Sequence, residues 1–163
     1  STNKLVNGVS NTAFGPNQTM TRAMLVTILY RAAGSPSVTG ITNKFTDNKQ
    51  GQYYYDAVLW AANKGVVTGA SATRFDPDGK VTREQIAAIL YRYAGSPTGS
   101  STSLNSFSDS GSVSSYAVAA LQWAVGKGII TGISTNGRTT LSAKNNANRA
   151  QVAVMLHRFL TFD

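Results

Sequence analysis

The chain has no cysteine, a single histidine and few carboxylates, with only seven Asp and Glu among its 163 residues. Without cysteine it forms neither a disulfide scaffold nor a thiolate nucleophile, nor a zinc or iron–sulfur site held by cysteine. A Ser-His-Asp triad would have to use His157, and so few carboxylates argue against glycosidases with paired acids and against Ca²⁺ or Mg²⁺ sites. We therefore predict a non-catalytic protein with no cofactor and no metal.

Long apolar runs and abundant charge are also missing. No stretch approaches the roughly 18 apolar residues of a membrane span, and the first residues, STNKLVNG, are not those of a signal peptide. Charged residues make up 13% of the chain, yet Lys and Arg exceed Asp and Glu enough to give a net charge of +8. A polar surface with few, mostly positive charges predicts a binding module with an anionic partner.

What the chain does contain is an internal repeat, which decides its architecture. Residues 45–69 recur as residues 107–132, each with Phe-x-Asp at the start, a Trp in the middle and a Gly five residues later. A second half-unit occurs three times, at residues 14–36, 75–97 and 141–160. Each of its copies carries two Arg nine residues apart: Arg22 and Arg31, Arg83 and Arg92, Arg149 and Arg158.

Each half-unit predicts one helix, which we name helix A for the first half and helix B for the second. At the start of helix B, Thr82 and Gln85 form a capping-box pattern that Asn148 and Gln151 repeat, while Thr21 is a cap without the Gln. Apolar residues then follow at helical spacing. The pattern predicts an all-α fold with short extended connectors.

Three repeats then account for the chain as one domain. Repeat one spans residues 1–36 and lacks helix A, repeat two spans residues 45–97, and repeat three spans residues 107–160 with a three-residue insertion before helix B. Because helix A of repeat one is missing, we expect Ser1 to mark a cut, with that helix encoded upstream or removed by proteolysis. Mass spectrometry of the sample would decide this.

These motifs resemble the S-layer homology family, whose unit reads Phe-x-Asp, Trp-Tyr-x-x-Ala-Val, Gly-Ile-x-x-Gly, Phe-x-Pro and then Thr-Arg-Ala-Glu. The resemblance covers essentially the whole chain. Repeat two carries nearly all of the pattern, with Tyr53 where the family usually has Trp: Phe45-Thr46-Asp47, Ala57-Val58, Gly65-Val66-Val67-Thr68-Gly69, Phe75-Asp76-Pro77 and Thr82-Arg83-Glu84-Gln85. Repeat one keeps Phe14-Gly15-Pro16 and Thr21-Arg22-Ala23-Met24, whereas repeat three has Leu141-Ser142-Ala143 and Asn148-Arg149-Ala150-Gln151 instead.

The resemblance implies a fold and a function. The fold is a three-pronged spindle in which the three repeats pack about a pseudo-threefold axis. The function is noncovalent anchoring of an extracellular protein to the bacterial cell wall, through secondary cell-wall polysaccharide that often carries pyruvylated N-acetylmannosamine. The polysaccharide would bind in the grooves between neighbouring repeats.

The residues themselves allow a mechanism for binding such an anion. The first N–H groups of a helix are unpaired and lie at its positive end, and an Arg just after the N-cap adds a full charge there. Lys80 adds longer-range attraction, Gly69 and Gly132 allow a close approach to the backbone, and aromatic rings offer a face to a sugar. Repetition of the site would raise avidity. The candidate ligand-binding residues are Arg22, Arg83, Arg149, Gly69, Gly132, Asp47, Asp109, Tyr53, Tyr116, Trp60, Trp123 and Lys80.

Structural roles compete with binding at several of these positions. The burial habits of Trp favour the core for Trp60 and Trp123, and Asp47 and Asp109 fit caps of helix A or of the turn before it. The three Arg also suit ion pairs. For the whole domain, the alternative function is a self-assembly module of a surface layer or filament, because the missing helix A exposes apolar surface. Nucleic-acid binding has only the charge in its favour, since no such motif is present.

Overall fold

The computed structural model describes residues 18–100 and 102–161. Five α-helices account for most of the regular structure in this part of the chain, together with two 3₁₀ turns and one hairpin. The helices are α1 (Arg22–Ala32), α2 (Tyr55–Lys64), α3 (Arg83–Tyr93), α4 (Val118–Gly126) and α5 (Arg149–Thr161). The all-α prediction is therefore confirmed: α1, α3 and α5 are the three copies of helix B, while α2 and α4 are helix A of repeats two and three. The Phe14-Gly15-Pro16 motif lies outside the described residues.

The caps of helix B form as the sequence predicts. The Thr82 hydroxyl accepts from the Gln85 N–H, and the Gln85 side chain accepts from the Thr82 N–H, which completes the capping box. Asn148 and Gln151 form the same reciprocal pair. These bonds fix the start of each helix because they satisfy N–H groups that have no partner within the helix.

A ring of backbone hydrogen bonds joins the three extended segments that precede helix B. The Met20 N–H donates to the Ala147 carbonyl at 3.0 Å, the Ala147 N–H donates to Val81 at 2.9 Å, and the Val81 N–H donates to Met20 at 3.1 Å. Each of these residues lies two positions before the first Arg of its helix B. The ring closes on itself after three equivalent steps, so it relates the three repeats by a pseudo-threefold axis.

Helix A of repeats two and three packs against helix B of the repeat before it. On α1, the ring of Tyr30 lies 5.6 Å from that of Trp60, and on α3 the Tyr91 and Trp123 rings are also 5.6 Å apart. Both Trp side chains are buried in these interfaces. Within the part of the chain that the structure describes, no helix A covers the corresponding face of α5.

The insertion in repeat three forms a small antiparallel hairpin rather than an irregular loop. Its strands are β1 (Ile133–Thr135) and β2 (Arg138–Thr140), joined by Asn136 and Gly137. Both turn residues have positive φ, 51° and 78°, which is the backbone that an Asn-Gly hairpin turn requires. The Asn-Gly pair was the signal in the sequence that would have predicted this hairpin.

Candidate functional site

One groove lined by three cationic side chains receives residues from all three repeats. Its volume is about 450 Å³. Repeat one contributes the first residue of α1, repeat two contributes the Gly-x-x-x-Gly loop, the turn before α3 and one face of α3, and repeat three contributes the residues just before α4. We call it the Arg22 groove. The lining residues that matter for the argument below are Arg22, Gly69, Lys80, Gln85, Arg92 and Tyr116.

Arg22 is held from one side and open on the other. Its Nε donates to the Phe75 carbonyl at 2.9 Å, and its guanidinium carbon lies 4.9 Å from the centre of the Phe75 ring. Within residues 18–100 and 102–161, its two Nη groups make no hydrogen bond. Burial lowers the pKa of Arg22, an effect that nearby Asp76 and Asp47 oppose, and the side chain stays charged at neutral pH. A positioned, partly desolvated cation with open donors is suited to a carboxylate or phosphate.

The helix N-termini themselves are not available to a ligand, contrary to the expectation from the sequence. The N–H of Arg22 donates to the Gly79 carbonyl at 2.8 Å, the N–H of Ala23 donates to Pro77 at 3.0 Å, and the N–H of Met24 donates to the Thr21 hydroxyl. The corresponding groups of α3 bind repeat three, and the Arg149 N–H binds the Gln18 carbonyl. The groups that the isolated helices leave open are used to join the repeats. An anion beside Arg22 must therefore bind through groups other than the N–H groups at the start of α1.

A second groove lies at the equivalent place one repeat further along, around Arg83. The Arg83 Nε donates to the Leu141 carbonyl at 2.8 Å, just as Arg22 donates to Phe75, but Arg83 is only 5% exposed. The volume of this second groove is about 220 Å³, roughly half that of the Arg22 groove. Larger residues line it at two equivalent positions, Ile133 for Ala70 and Val154 for Ala88, and Asn146 takes the sequence position of Lys80.

Arg149, the third Arg of the set, is 4% exposed and donates from Nη2 to the Met24 sulfur at 3.5 Å. Tyr53 lies near it. Burial raises the pKa of Tyr53, while a hydrogen bond with Thr21 and the charge of Arg149 oppose that rise. The loop that would correspond to Gly69 in this third position falls around Gly8, outside the described residues. The threefold relation thus brings Tyr53 to Arg149 and Tyr116 to Arg22.

The aromatic candidates divide into two pairs. Tyr116 and Tyr53 are 53% and 50% exposed and offer accessible rings. Trp60 and Trp123 are 7% and 6% exposed and pack among the helices. Because both Trp side chains are almost fully buried, we remove both from the candidate site, and the core role that the sequence also allowed is the one that the structure supports.

Asp47 and Asp109 hold the turn that leads into helix B. The two oxygens of Asp47 accept from the N–H groups of Phe75 and Asp76, both at 2.8 Å, and Asp109 accepts from Leu141 and Ser142 in the same way. The sequence suggested that these carboxylates cap helix A or the turn before it. They instead bind backbone 28 to 33 residues later, so their contribution to the groove is to fix the carbonyl to which the Arg donates.

Gly69 and Gly132 line the two grooves, and both positions also lack the space for a larger residue. Gly69 has φ of +86°, and a Cβ there would lie 2.6 Å from the Phe45 ring and 2.8 Å from the Ser71 carbonyl oxygen. Gly132 meets the same restriction from Phe107. Their presence is explained by the backbone conformation and by the packing of the Phe-x-Asp phenylalanine, before any ligand is considered.

Reasoning from the sequence missed two contributors to the Arg22 groove. Arg92 was expected to serve the C-terminus of its helix, and Gln85 was assigned to the capping box only, yet both line the groove. An Arg equivalent to Arg92 recurs in every repeat, nine residues after the first Arg of helix B. That spacing relates Arg92 to Arg83 on its own helix, whereas the groove joins Arg92 to Arg22 of the preceding repeat, so spacing along the chain does not reveal the pairing.

Two further features bear on function. No helix among the described residues has the length and apolar character needed to cross a membrane. Likewise, residues 18–100 and 102–161 contain no cluster of three or more His, Cys, Asp or Glu side chains placed to hold a metal.

Comparison with known proteins agrees with the repeat architecture. A family model described as the S-layer homology domain matches three segments, residues 1–23, 44–87 and 106–153, which together make up more than half of the chain. Relatives include the Surface-layer 125 kDa protein of Lysinibacillus sphaericus, 34% identical over 94% of this chain and 13% of its own length. An Amylopullulanase of Thermoanaerobacterium thermosulfurigenes is 29% identical over 96% of this chain and 8% of its own length.

A Middle cell wall protein of Brevibacillus brevis is 29% identical over 56% of this chain and 9% of its own length. The chain thus spans 8 to 13% of the length of these three relatives. It matches them as a module and not as a whole protein. The family match, with surface-layer and cell-wall proteins among the relatives, indicates a cell-wall-associated location at the bacterial surface. The chain belongs to the S-layer homology domain family.

Proposed function

We propose that this domain anchors its parent protein to the cell wall by binding an anionic, pyruvylated secondary cell-wall polysaccharide in the Arg22 groove. The observation that carries the proposal is the meeting of Arg22, Lys80 and Arg92 with the exposed ring of Tyr116 in one open groove. Three cations there face one lining carboxylate, Asp76. The local excess of positive charge favours an anionic ligand.

A pyruvate ketal fits the chemistry of this groove in both of its parts. Its carboxylate would accept hydrogen bonds from the Nη groups of Arg22, which the bond from Nε to Phe75 keeps in place. Its methyl group would contact the apolar lining formed by Ala88 and Ile89. The sugar ring would lie against Tyr116, where an aromatic face provides contact area at little cost in side-chain entropy.

Binding is expected at the Arg22 groove rather than equally in all three positions. The Arg83 groove has half the volume and no lysine in its lining, and Ile133 and Val154 take the places of Ala70 and Ala88. A soluble pyruvylated monosaccharide should therefore bind more tightly to the Arg22 groove than to the Arg83 groove. The gain in avidity expected from three equivalent sites does not follow from grooves that differ in this way.

Co-sedimentation with purified cell walls tests the proposal. The domain should pellet with walls that carry pyruvylated polymer and stay in solution after the ketal has been removed chemically. The carboxylate of the ketal is the group that Arg22 would bind, and its loss leaves the sugar without a charge partner. Equal binding before and after removal of the ketal contradicts the carboxylate mechanism.

Self-association is a second candidate function, supported by the face of α5 that no described helix covers. Val154, which also lines the Arg83 groove, is 47% exposed, whereas its equivalents Ala88 and Thr27 are 4% and 1% exposed. The equivalent faces of α1 and α3 each bind a helix A, so this face has the form that accepts an amphipathic helix, and we infer a second copy of the chain as its occupant.

Sedimentation velocity over a wide concentration range tests this second function. Self-association should appear as the concentration rises, and Val154→Lys should abolish it. A protein that stays monomeric at every concentration excludes this function. So does an association that Val154→Lys leaves unchanged.

A further inference from the structure

Glu84 is a buried carboxylate in the first turn of α3, between Arg83 and Gln85. It is 3% exposed. The equivalent positions of α1 and α5 hold Ala23 and Ala150, so the carboxylate belongs to one repeat only. A buried charge is retained only where other groups satisfy it.

The partners of Glu84 lie in repeat three. The N–H of Ser114 donates to Oε2 at 2.9 Å, and the hydroxyl of Ser114 donates to Oε1 at 2.6 Å. The Nζ of Lys144 lies 3.3 Å from Oε1 and also contacts the Ser114 hydroxyl. One carboxylate therefore binds both the backbone and the side chain of a residue that is 30 positions away.

Ser114 stands directly before a short helical turn, Ser115–Ala117, that leads into α4. Tyr116 is the central residue of this turn, and its ring lines the Arg22 groove. The turn has no side-chain cap of its own. The bonds from Ser114 to Glu84 are thus the polar contacts that attach the segment carrying Tyr116 to the wall of the groove.

Tyr53, the tyrosine of repeat two that is equivalent to Tyr116, has no such attachment. At the position equivalent to Ser114, repeat two has Gly51, and the partner position on α1 is Ala23. Helix α2 likewise begins without a side-chain cap. The Glu84–Ser114 contact therefore occurs at the groove that holds Lys80 and the accessible Arg22, and its absence near Tyr53 argues that the fold does not require it at every repeat.

We propose that Glu84 is a positioning residue for ligand binding: by holding Ser114, it fixes Tyr116 at the edge of the Arg22 groove and so sets the affinity for the sugar. This inference rests on the proposed function of that groove. A ring that is half exposed loses conformational freedom when it contacts a ligand, and an anchored backbone reduces that loss before binding. Glu84 itself need not touch the ligand.

A double-mutant cycle tests the coupling. Affinity for a pyruvylated monosaccharide is measured for the wild type, Glu84→Ala, Tyr116→Ala and the double variant. Tyr116→Ala should lower the affinity about 10-fold and Glu84→Ala about 3-fold, with the double variant no weaker than Tyr116→Ala alone. If Glu84→Ala weakens binding equally when Tyr116 is absent, Glu84 does not act through Tyr116 and the proposal fails.

Two further variants distinguish a positioning role of Glu84 from a general loss of folding. Glu84→Gln keeps an acceptor for the Ser114 N–H and a donor for its hydroxyl, so it should retain affinity near that of the wild type. Lys144→Ala leaves both bonds between Ser114 and Glu84 in place and should do the same. A loss of affinity in Glu84→Gln as large as that in Glu84→Ala contradicts the positioning role.

Amide hydrogen exchange tests the attachment even if the ligand proves to be wrong. Glu84→Ala should speed exchange at Ser114–Ala117 while the centres of α1 and α3 stay protected. Faster exchange at these residues, combined with no binding by the wild-type protein, would refute the proposed function but not the attachment. Unchanged exchange there refutes the inference itself, whatever the ligand.

Discussion

Arg22→Gln should lower the affinity for pyruvylated wall polymer about 100-fold, since it removes two charge-assisted hydrogen bonds worth about 1.5 kcal/mol each. The side-chain nitrogen of Gln falls at the position of the Arg Nε, so the bond to the Phe75 carbonyl, 2.9 Å long in the wild type, can persist. What is lost is the charge and the two Nη donors that are open to the groove. Isothermal titration with a pyruvylated monosaccharide would measure the change, with thermal melting as the check on folding.

Arg83→Gln is the matched control, because Arg83 makes the same bond to the Leu141 carbonyl in the smaller groove. It should change the affinity less than about 3-fold, which is the usual range for a residue that makes no contact with the ligand. A large loss in Arg83→Gln together with no loss in Arg22→Gln would assign the ligand to the other groove. Equal losses in both would mean that the two grooves bind alike in spite of Ile133 and Val154.

Much of the fold could be predicted because its signals are local. The capping boxes at Thr82 and Asn148 depend on residues three positions apart, and the helices start where these pairs place them. The C-terminus of α2 at Gly65, with φ of 80°, follows from the freedom of glycine at positive φ. The repeat then extends each local prediction to its copies.

The site was harder to predict because it depends on contacts between repeats. The sequence shows that Arg22, Arg83 and Arg149 are equivalent, but not that neighbouring turns fill the N-termini of their helices. The two grooves differ in volume and in single residues such as Val154 for Ala88, and of these two only the Arg22 groove is lined by a residue of a third repeat, Tyr116. Which side chains face each other across the threefold axis is a tertiary property, and a pattern of spacing along the chain does not contain it.

The same dependence on distant partners makes Asp47 important for the structure around Arg22, because it binds the backbone of Phe75 and Asp76. Asp47→Ala should lower the free energy of unfolding by about 3–4 kcal/mol, since two backbone N–H groups lose a charged acceptor. One of these N–H groups belongs to Phe75, whose side chain is fully buried, so water cannot easily replace the carboxylate as its acceptor. Thermal melting should report a midpoint lower by about 10 °C.

Asp109→Ala is the matched variant in repeat three, where the carboxylate accepts from Leu141 and Ser142 at 2.8 and 2.9 Å. It should destabilise the domain by a similar amount. Because the Arg22 Nε donates to Phe75, only the Asp47 variant is expected also to weaken ligand binding in the Arg22 groove. Equal effects of the two variants on binding would contradict the assignment of the ligand to that groove.

The contribution of Asp47 should also depend on pH in a defined direction. Burial alone would raise its pKa, but hydrogen bonds from the Phe75 and Asp76 N–H groups, with the nearby charge of Arg74, lower it below the ordinary value. A carboxyl whose pKa is lower in the folded state stabilises the fold fully above its unfolded pKa, about 4, and loses that contribution as the pH falls through the lower folded pKa. The stability difference between wild type and Asp47→Ala, measured by urea unfolding, should thus be constant from about pH 7 to pH 5 and shrink below about pH 4. A difference that stays the same at the lowest pH where both proteins still fold would mean that the ionised carboxylate is not what holds the turn.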